Sequence, residues 1–364
     1  MRMVVFSDAQ YHDYKLFSEN GANGISSRLQ DQIDVLNQIS DYAVKNKIGR
    51  ILFVGDFLDQ RQRGDFITIK TASDWINKVS NAGIIQHFVV GNHDQIAKHG
   101  THSSLDLFEH IPNVHVIATP QWVDLGEGCG FLAVPYMNRL EEVLAGLQVQ
   151  MPSTIKKAIA VIHYGLFDVS DGYRTIVKYQ GYESEGQVKL SDLDSILTEV
   201  SHVLLGHYHM PTSVTDRVHF VGTPIQHNFG EASYKTRFLD VDLDTGKIIV
   251  VPTKAPKFVQ FESPAEIGDG SKAKGNFVRV DVHTQDEKLE VEAKLDAIGV
   301  RGRQAILKPK VKAAENRLGL DLGMSYEEMG MKLVDADTET TLDKKRLKNM
   351  LVEVFKEAQQ KKDI

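Results

Sequence analysis

At 364 residues, 42% hydrophobic and 25% charged, the chain is long enough for one large globular domain with one or two smaller ones. A formal net charge of −7 excludes a whole-chain cationic footprint for nucleic acid and leaves any grip on phosphates to a local groove or a metal. One cysteine, Cys129, excludes an intrachain disulfide, and there is neither an apolar run of about 18 residues nor a signal-peptide layout, so a cytoplasmic protein without a membrane span is expected.

Met3–Phe6 reads as a buried strand that ends at Ser7-Asp8. From about Ser26 to Asn46, Leu29, Ile33, Leu36 and Ala43 recur at helical spacing. Ile51–Val54 is a second apolar run, ending at Gly55-Asp56; a helix with Ile69, Ala72, Ile76 and Val79 follows, closed by Asn81-Ala82-Gly83. Phe88–Val90 is a third run, ending at Gly91-Asn92-His93-Asp94. This alternation predicts parallel strands joined by crossover helices. Short buried strands are predicted at Phe131–Val134, Ile159–Ile162 and Val203–Leu205, and Phe238–Leu243 and Lys247–Val251 flank Asp244-Thr245-Gly246, a hairpin signal that makes the sheet system mixed. Pro252, Pro256 and Pro264, then a Gly-rich stretch to Gly275, read as a linker. Beyond it, Asn276–His283, Leu289–Ile298 and Gln304–Lys308 make a small β-α-β module, and about Asp343–Lys361 carries Leu347, Met350, Leu351, Val354, Phe355 and Ala358 on one helical stripe.

Five stretches share one design, an apolar run with a metal-capable residue at its end. They are Ser7-Asp8, Gly55-Asp56-Phe57-Leu58-Asp59, Gly91-Asn92-His93-Asp94, His163-Tyr164-Gly165 and Gly206-His207-Tyr208-His209. Ligands of open α/β sheets bind beyond the carboxyl ends of strands, so these tips are expected to converge. Carboxylates and an amide oxygen favour manganese or magnesium, while imidazoles pull towards manganese, iron or zinc. Each stretch alone reads as a turn or a surface loop; the five in order point to a pair of divalent ions.

With Asp8, Gly-Asp-x-x-Asp at 55–59, Gly-Asn-His-Asp at 91–94, His163 and Gly-His-x-His at 206–209, the chain resembles the calcineurin-like metallophosphoesterases over about residues 1–250. Val221-Gly222-Thr223-Pro224-Ile225-Gln226 with Phe229-Gly230-Glu231, together with 104–109, narrows the resemblance to SbcD-type nucleases, with a length closer to phage-encoded members. The resemblance implies an α/β sandwich of two mixed sheets flanked by helices, with a small α+β capping module near the C-terminus. It divides the chain into a nuclease domain (1–255), a linker (256–274), a DNA-positioning module (275–335) and a C-terminal helix for an ATPase partner (336–364).

It also implies a site. Asp56 would bridge two ions, manganese or else magnesium; Asp8 and His209 would hold one, and Asn92, His163 and His207 the other. His93 would act as general acid or orient phosphate, with Asp59 orienting His93, although Asp59 also reads as a helix N-cap. Arg61 and Arg63 are candidate phosphate contacts, and His102 and His227 lie near the motifs. The implied function is a metal-dependent DNA exonuclease or endonuclease subunit, homodimeric within a heterotetramer with an SbcC-like ATPase. A small-molecule phosphodiesterase or phosphoprotein phosphatase, and a catalytically impaired DNA-end binder, remain alternatives.

The family's first motif is Asp-x-His; here it is Asp8-Ala9-Gln10. Residues two apart share a face, so Gln10 is placed to reach the ion that Asp8 would hold. Three readings stay open: Gln10 ligates through its amide oxygen, Gln10 holds a water, or His12 loops back in its stead.

Overall fold

The structure is a computed structural model that describes residues 1–21, 23–59, 65–96, 102–167, 188–308, 324–337 and 343–360. It divides into two compact units, Met1–Leu307 and Lys308–Ile364.

The first unit opens with β1 (Arg2–Phe6), α1 (Ser27–Lys45), β2 (Arg50–Val54), α2 (Phe66–Asn81) and β3 (Ile85–Val89). It continues through β4 (Val114–Ile117), β5 (Gln121–Gly126), β6 (Cys129–Val134), α3 (Leu140–Gly146), β7 (Lys157–His163), β8 (Leu166–Phe167) and β9 (Val188–Lys189). Then come β10 (Val203–Gly206), β11 (Thr212–Ser213), β12 (Val218–Phe220), β13 (Arg237–Asp242) and β14 (Lys247–Pro252). It closes with β15 (Phe258–Phe261), β16 (Phe277–Val282), α4 (Gln285–Ile298) and β17 (Gly302–Leu307).

Two six-stranded mixed sheets, ordered β14-β13-β1-β2-β3-β4 and β11-β12-β10-β7-β6-β5, form the expected sandwich. The central strands β1, β2, β3, β6, β7 and β10 are buried on both faces, so they read as continuous apolar runs rather than alternating ones. Met3, Val5, Leu52 and Val54 meet Phe131, Ile159, Val161 and Leu204 between the sheets. Val4, Phe6, Ile51 and Phe53 point the other way, onto Leu29, Leu36, Ala72 and Trp75 of α1 and α2. Burial of each such side chain contributes about 1.5–3 kcal/mol, which is what makes the register unambiguous. The helix ends fall where side chains can cap them: Ser26 accepts the Leu29 N–H at 3.2 Å and starts α1.

β1 lies inside its sheet, parallel to β2 and antiparallel to β13, with Val5 opposite Leu52 on one side and Leu239 on the other. β1, β2 and β3 run parallel in one sheet and β7 and β10 run parallel in the other, and side chains at their carboxyl ends meet on one side of the sandwich.

One buried polar group sits away from that side. His87 of β3 is 5% exposed, stacks on His115 at 5.1 Å and, among the described residues, has no hydrogen-bond partner on either ring nitrogen. Burial, reinforced by His115 and Arg50, lowers its pKa to about 3. Its folded pKa lies below its ordinary value of 6.5, so the unfolded chain takes up the extra proton between those two values. Stability therefore falls as pH drops through that window, by up to about 1.4 kcal/mol per pH unit from this group. His87→Leu is expected to flatten the fall in melting temperature between pH 6.5 and 4 without loss at pH 8, because two unsatisfied nitrogens leave with the ring. An unchanged pH profile would assign the acid sensitivity to other groups.

The stretch 256–274, expected as a linker, contains β15 and a 3-10 turn at Pro264–Ile267. Prolines and glycines mark its turns, but Phe258 and Phe261 are buried and pull the segment into a three-stranded parallel sheet, β15-β16-β17, backed by α4. That sheet lies within the first unit, and the division of the chain comes after Leu307.

In the second unit, α5 (Tyr326–Ala336) and α6 (Lys344–Gln360) pack where Gly330 leaves room for Leu351; a Cβ on Gly330 would sit 2.7 Å from Leu351 Cδ2. Of the apolar stripe on α6, Leu347, Leu351 and Phe355 are half-buried, whereas Met350 and Val354 are exposed. Among the described residues no helix is long and apolar enough to cross a membrane.

Candidate metal centre

The strand tips do converge, and they do so through unusual backbone. Asp8, Gln10, Asp56 and His207 all have positive φ, at 52°, 39°, 61° and 84°. Left-handed backbone is uncommon outside glycine and costs about 1–3 kcal/mol per residue, so the surrounding fold must hold these tips. Small neighbours make that possible. A Cβ on Gly91 would meet Asp56 Oδ1 at 2.2 Å, and one on Gly206 would meet Val54 O at 2.2 Å.

Asp94 locks two of the tips together. Its carboxylate is fully buried and accepts four backbone N–H groups, from Asp56 (2.9 Å), Phe57 (3.0 Å), Leu58 (3.1 Å) and Gly91 (2.9 Å). Burial and the neighbouring Asp56 charge push this carboxyl up to about 7, against the N–H donors that favour the anion.

Asp56, His163 and His207 are buried with their ligating atoms within 4.8 Å of one another. The Asn92 amide oxygen lies 3.1 Å from His163 Nε2 and 2.9 Å from His207 Nδ1, and His163 Nε2 is 3.3 Å from Asp56 Oδ2. His163 Nδ1–H donates to the Val54 carbonyl at 2.7 Å, which turns Nε2 into the cluster. Burial disfavours charge on Asp56, yet His163 outweighs it and holds the carboxyl below its ordinary range. Burial likewise opposes charge on His163, but Asp56 raises it to about 9. Burial and the neighbouring His163 lower His207 to about 3, so this ring is neutral and keeps one nitrogen lone pair for a ligand. A carboxylate, an amide oxygen and two imidazoles thus converge on one buried spot, a donor set that fits a divalent ion.

Asp8, Gln10 and His209 face one another on the other side. His209 Nε2 lies 4.0 Å from Asp8 Oδ1 and 3.0 Å from Gln10 Nε2. The Asp8 carboxylate accepts the His207 N–H at 3.1 Å, and its backbone carbonyl accepts the Thr223 hydroxyl at 3.0 Å. Gln10 is therefore the residue set against the His209 nitrogen. His12 instead packs edge-on to Tyr14, with ring centroids 5.1 Å apart.

His93 donates its backbone N–H to Asp56 Oδ1 at 2.7 Å, while its Nδ1 faces the Asp59 carboxylate at 3.2 Å and the Asp59 carbonyl at 3.1 Å. Burial works against charge on this ring, but Asp59 and Asp56 raise its pKa to about 9. Asp59 is thus paired with His93; the N-cap of α2 is Asp65. Arg61 and Arg63 lie outside the described residues. His102 is an exposed residue whose Nδ1 lies 3.3 Å from Asp106.

Two groups were not anticipated in these roles. Asp94 was visible only as the last letter of its motif, and binding backbone N–H groups has no sequence signature. Glu231, 22 positions from His209, holds the His209 Nδ1 at 2.6 Å, and with His227 and His209 it forms a second buried group of ligating atoms. The only trace of it was the Phe229-Gly230-Glu231 segment.

No family model matches the chain. It is 28% identical over 223 residues to exonuclease subunit 1 of Enterobacteria phage T4, covering 61% of this chain and 61% of that protein. It is 26% identical over 190 residues to the DNA double-strand break repair protein Mre11 of Sulfurisphaera tokodaii, covering 50% of this chain and 44% of that protein. The matches thus span less than two thirds of either relative. Among solved structures, a dimetal phosphatase from Danio rerio aligns with a TM-score of 0.37 at 10% identity, over 70% of this chain and 99% of that one. The Pseudomonas putida nuclease MPE aligns with a TM-score of 0.25 at 16% identity, over 47% and 64%. The resemblance read from the motifs is borne out by relatives of the kind it named.

Proposed function

From a chain with the metallophosphoesterase sandwich and with SbcD- and Mre11-type relatives, we propose a metal-dependent nuclease subunit that hydrolyses phosphodiester bonds in DNA. The observation that supports this best is the buried cluster of Asp56, His163, His207 and the Asn92 amide oxygen, set against Asp8, Gln10 and His209 at the strand tips. Asn92, His163 and His207 would hold one divalent ion and Asp8, Gln10 and His209 the other, with Asp56 available to both. Mixed oxygen and imidazole donors favour manganese, with magnesium second. When bound, such a pair polarises phosphoryl oxygens and makes water nucleophilic at neutral pH.

The protein's own groups do the rest. Asp59 takes the Nδ1–H of His93 and leaves Nε2 to the substrate. His93 is partly exposed, unlike the buried ligand cluster, and so can deliver a proton to the departing oxygen. The small sheet of β15–β17 positions DNA beside the site. Helix α6 meets an SbcC-like ATPase in the host cytoplasm, and the working assembly is a homodimer within a heterotetramer.

The test is cleavage of linear single- and double-stranded DNA and of a chromogenic phosphodiester with manganese or magnesium. His93→Ala is expected to lower kcat on DNA by about 10²–10⁴-fold while manganese binding by titration is retained. Cleavage of the chromogenic ester without cleavage of DNA would favour a small-molecule phosphodiesterase. DNA binding with no cleavage in manganese would favour an impaired end-binding subunit, the reading that Gln10 motivates.

A further inference from the structure

His209 is set against Gln10, and its second nitrogen meets a carboxylate. Its Nδ1 lies 2.6 Å from Glu231 Oε1, whereas His163 Nδ1 uses the neutral Val54 carbonyl. The other Glu231 oxygen, Oε2, accepts the His227 N–H at 2.7 Å. Glu231 is 3% exposed, so both oxygens are committed inside the fold and the carboxylate cannot turn away. Its short 3-10 turn, Phe229–Glu231, is held from outside the sandwich. Gln260 Nε2 donates to the Phe229 carbonyl at 2.7 Å, the Phe258 N–H donates to Gln226 Oε1 at 2.7 Å, and the Arg279 guanidinium lies 4.1 Å over the Phe229 ring.

A carboxylate behind a ligating imidazole fixes its tautomer and ring direction and strengthens the nitrogen that faces the metal. A glutamine in place of an imidazole gives a weaker, neutral donor. Resting on the dimetal reading above, we infer that Glu231 is a positioning residue that locks His209 with Nε2 towards the ion and so compensates for Gln10. Gln10 offers the ion a weaker donor, and the carboxylate behind His209 strengthens the imidazole that faces it. The small sheet, by gripping 226–231, keeps that carboxylate in place.

The test is calorimetric titration of the full chain with manganese in the absence of DNA, for wild type, Glu231→Gln, Gln10→His and the double variant. Glu231→Gln keeps shape and an acceptor for the His227 N–H, but it also offers a donor to Nδ1, so the His209 tautomer is no longer fixed. The wild type is expected to bind two ions. Glu231→Gln should weaken one of them about 10–100-fold and leave the other near its wild-type value. In the Gln10→His background the same substitution should cost only a few-fold. Imidazole ¹⁵N spectra of the metal-free chain should show His209 protonated at Nδ1 in the wild type and a tautomer mixture in Glu231→Gln, a readout that loss of packing alone would not produce. Two ions bound with no change on Glu231→Gln, or an equal loss in both backgrounds, overturns the inference and leaves the dimetal reading intact. A wild type that binds no manganese overturns both.

Discussion

Asp56→Asn is expected to abolish metal-dependent cleavage, with a loss of about 10³-fold or more. A partner behind a ligand is commonly worth 10–100-fold in metal affinity or activity, and Asp56 is proposed as the ligand common to both ions. The substitution is isosteric, keeps an oxygen for the His93 N–H, and removes the negative charge that faces His163 Nε2 at 3.3 Å. Without that charge the oxygen donors present are neutral on the Asn92 side, and the two halves of the centre lose the group between them. Manganese titration should fall from two ions to one or none, and the DNA cleavage rate should fall to background. Cleavage within tenfold of the wild type would remove Asp56 from the centre and with it the two-ion proposal.

Asp94→Ala is expected to be the most destabilising single substitution near the site, although Asp94 touches no substrate in any of the readings above. Four backbone N–H groups lose their acceptor together, at a position that is shut off from bulk solvent. Each unsatisfied buried donor costs about 1–3 kcal/mol, so even with relaxation the loss should be about 4 kcal/mol or more. At roughly 2–4 °C per kcal/mol for a domain of a few hundred residues, the melting temperature should drop by about 8–16 °C. Asp94→Asn, which keeps one oxygen, should lie between. Thermal unfolding of the three proteins reads this directly; a variant within about 1 kcal/mol of the wild type would mean that other groups serve those donors.

The tips were legible because the chemistry that places them is local. An apolar run, a glycine and a ligating side chain follow one another in the chain, and the sheet carries them to one side. Helix α1 was legible for the same reason: its cap and its buried face lie within twenty residues, and Ser26 and Asn46 fall at its two ends. What escaped was short or long-range. The seven residues of α3 are too few for a period, and β4 is four residues long with His115 exposed and Val116 half-buried, so neither carries a pattern. Asp94 acts on main chain, and Glu231 acts across 22 positions from a three-residue turn, so their work exists only once the chain has folded. The linker expectation failed locally because proline and glycine mark turns of a small sheet as readily as they mark loose chain.

The inner position of β1 bears on how the protein is made. Its partner on one side, β2, leaves the ribosome early, but its partner on the other, β13, begins at Arg237. Until that stretch has been synthesised, the strand that ends at Asp8 presents an open row of backbone donors and acceptors beside its apolar side chains. The nascent chain must carry this adhesive edge while the more than 200 residues between β1 and β13 are synthesised, and a truncated product ending before Arg237 keeps it for good. Completion of the metal centre and sealing of the sheet are therefore late, nearly simultaneous events in synthesis, since His207, His209 and Glu231 emerge just ahead of the strand that closes the edge.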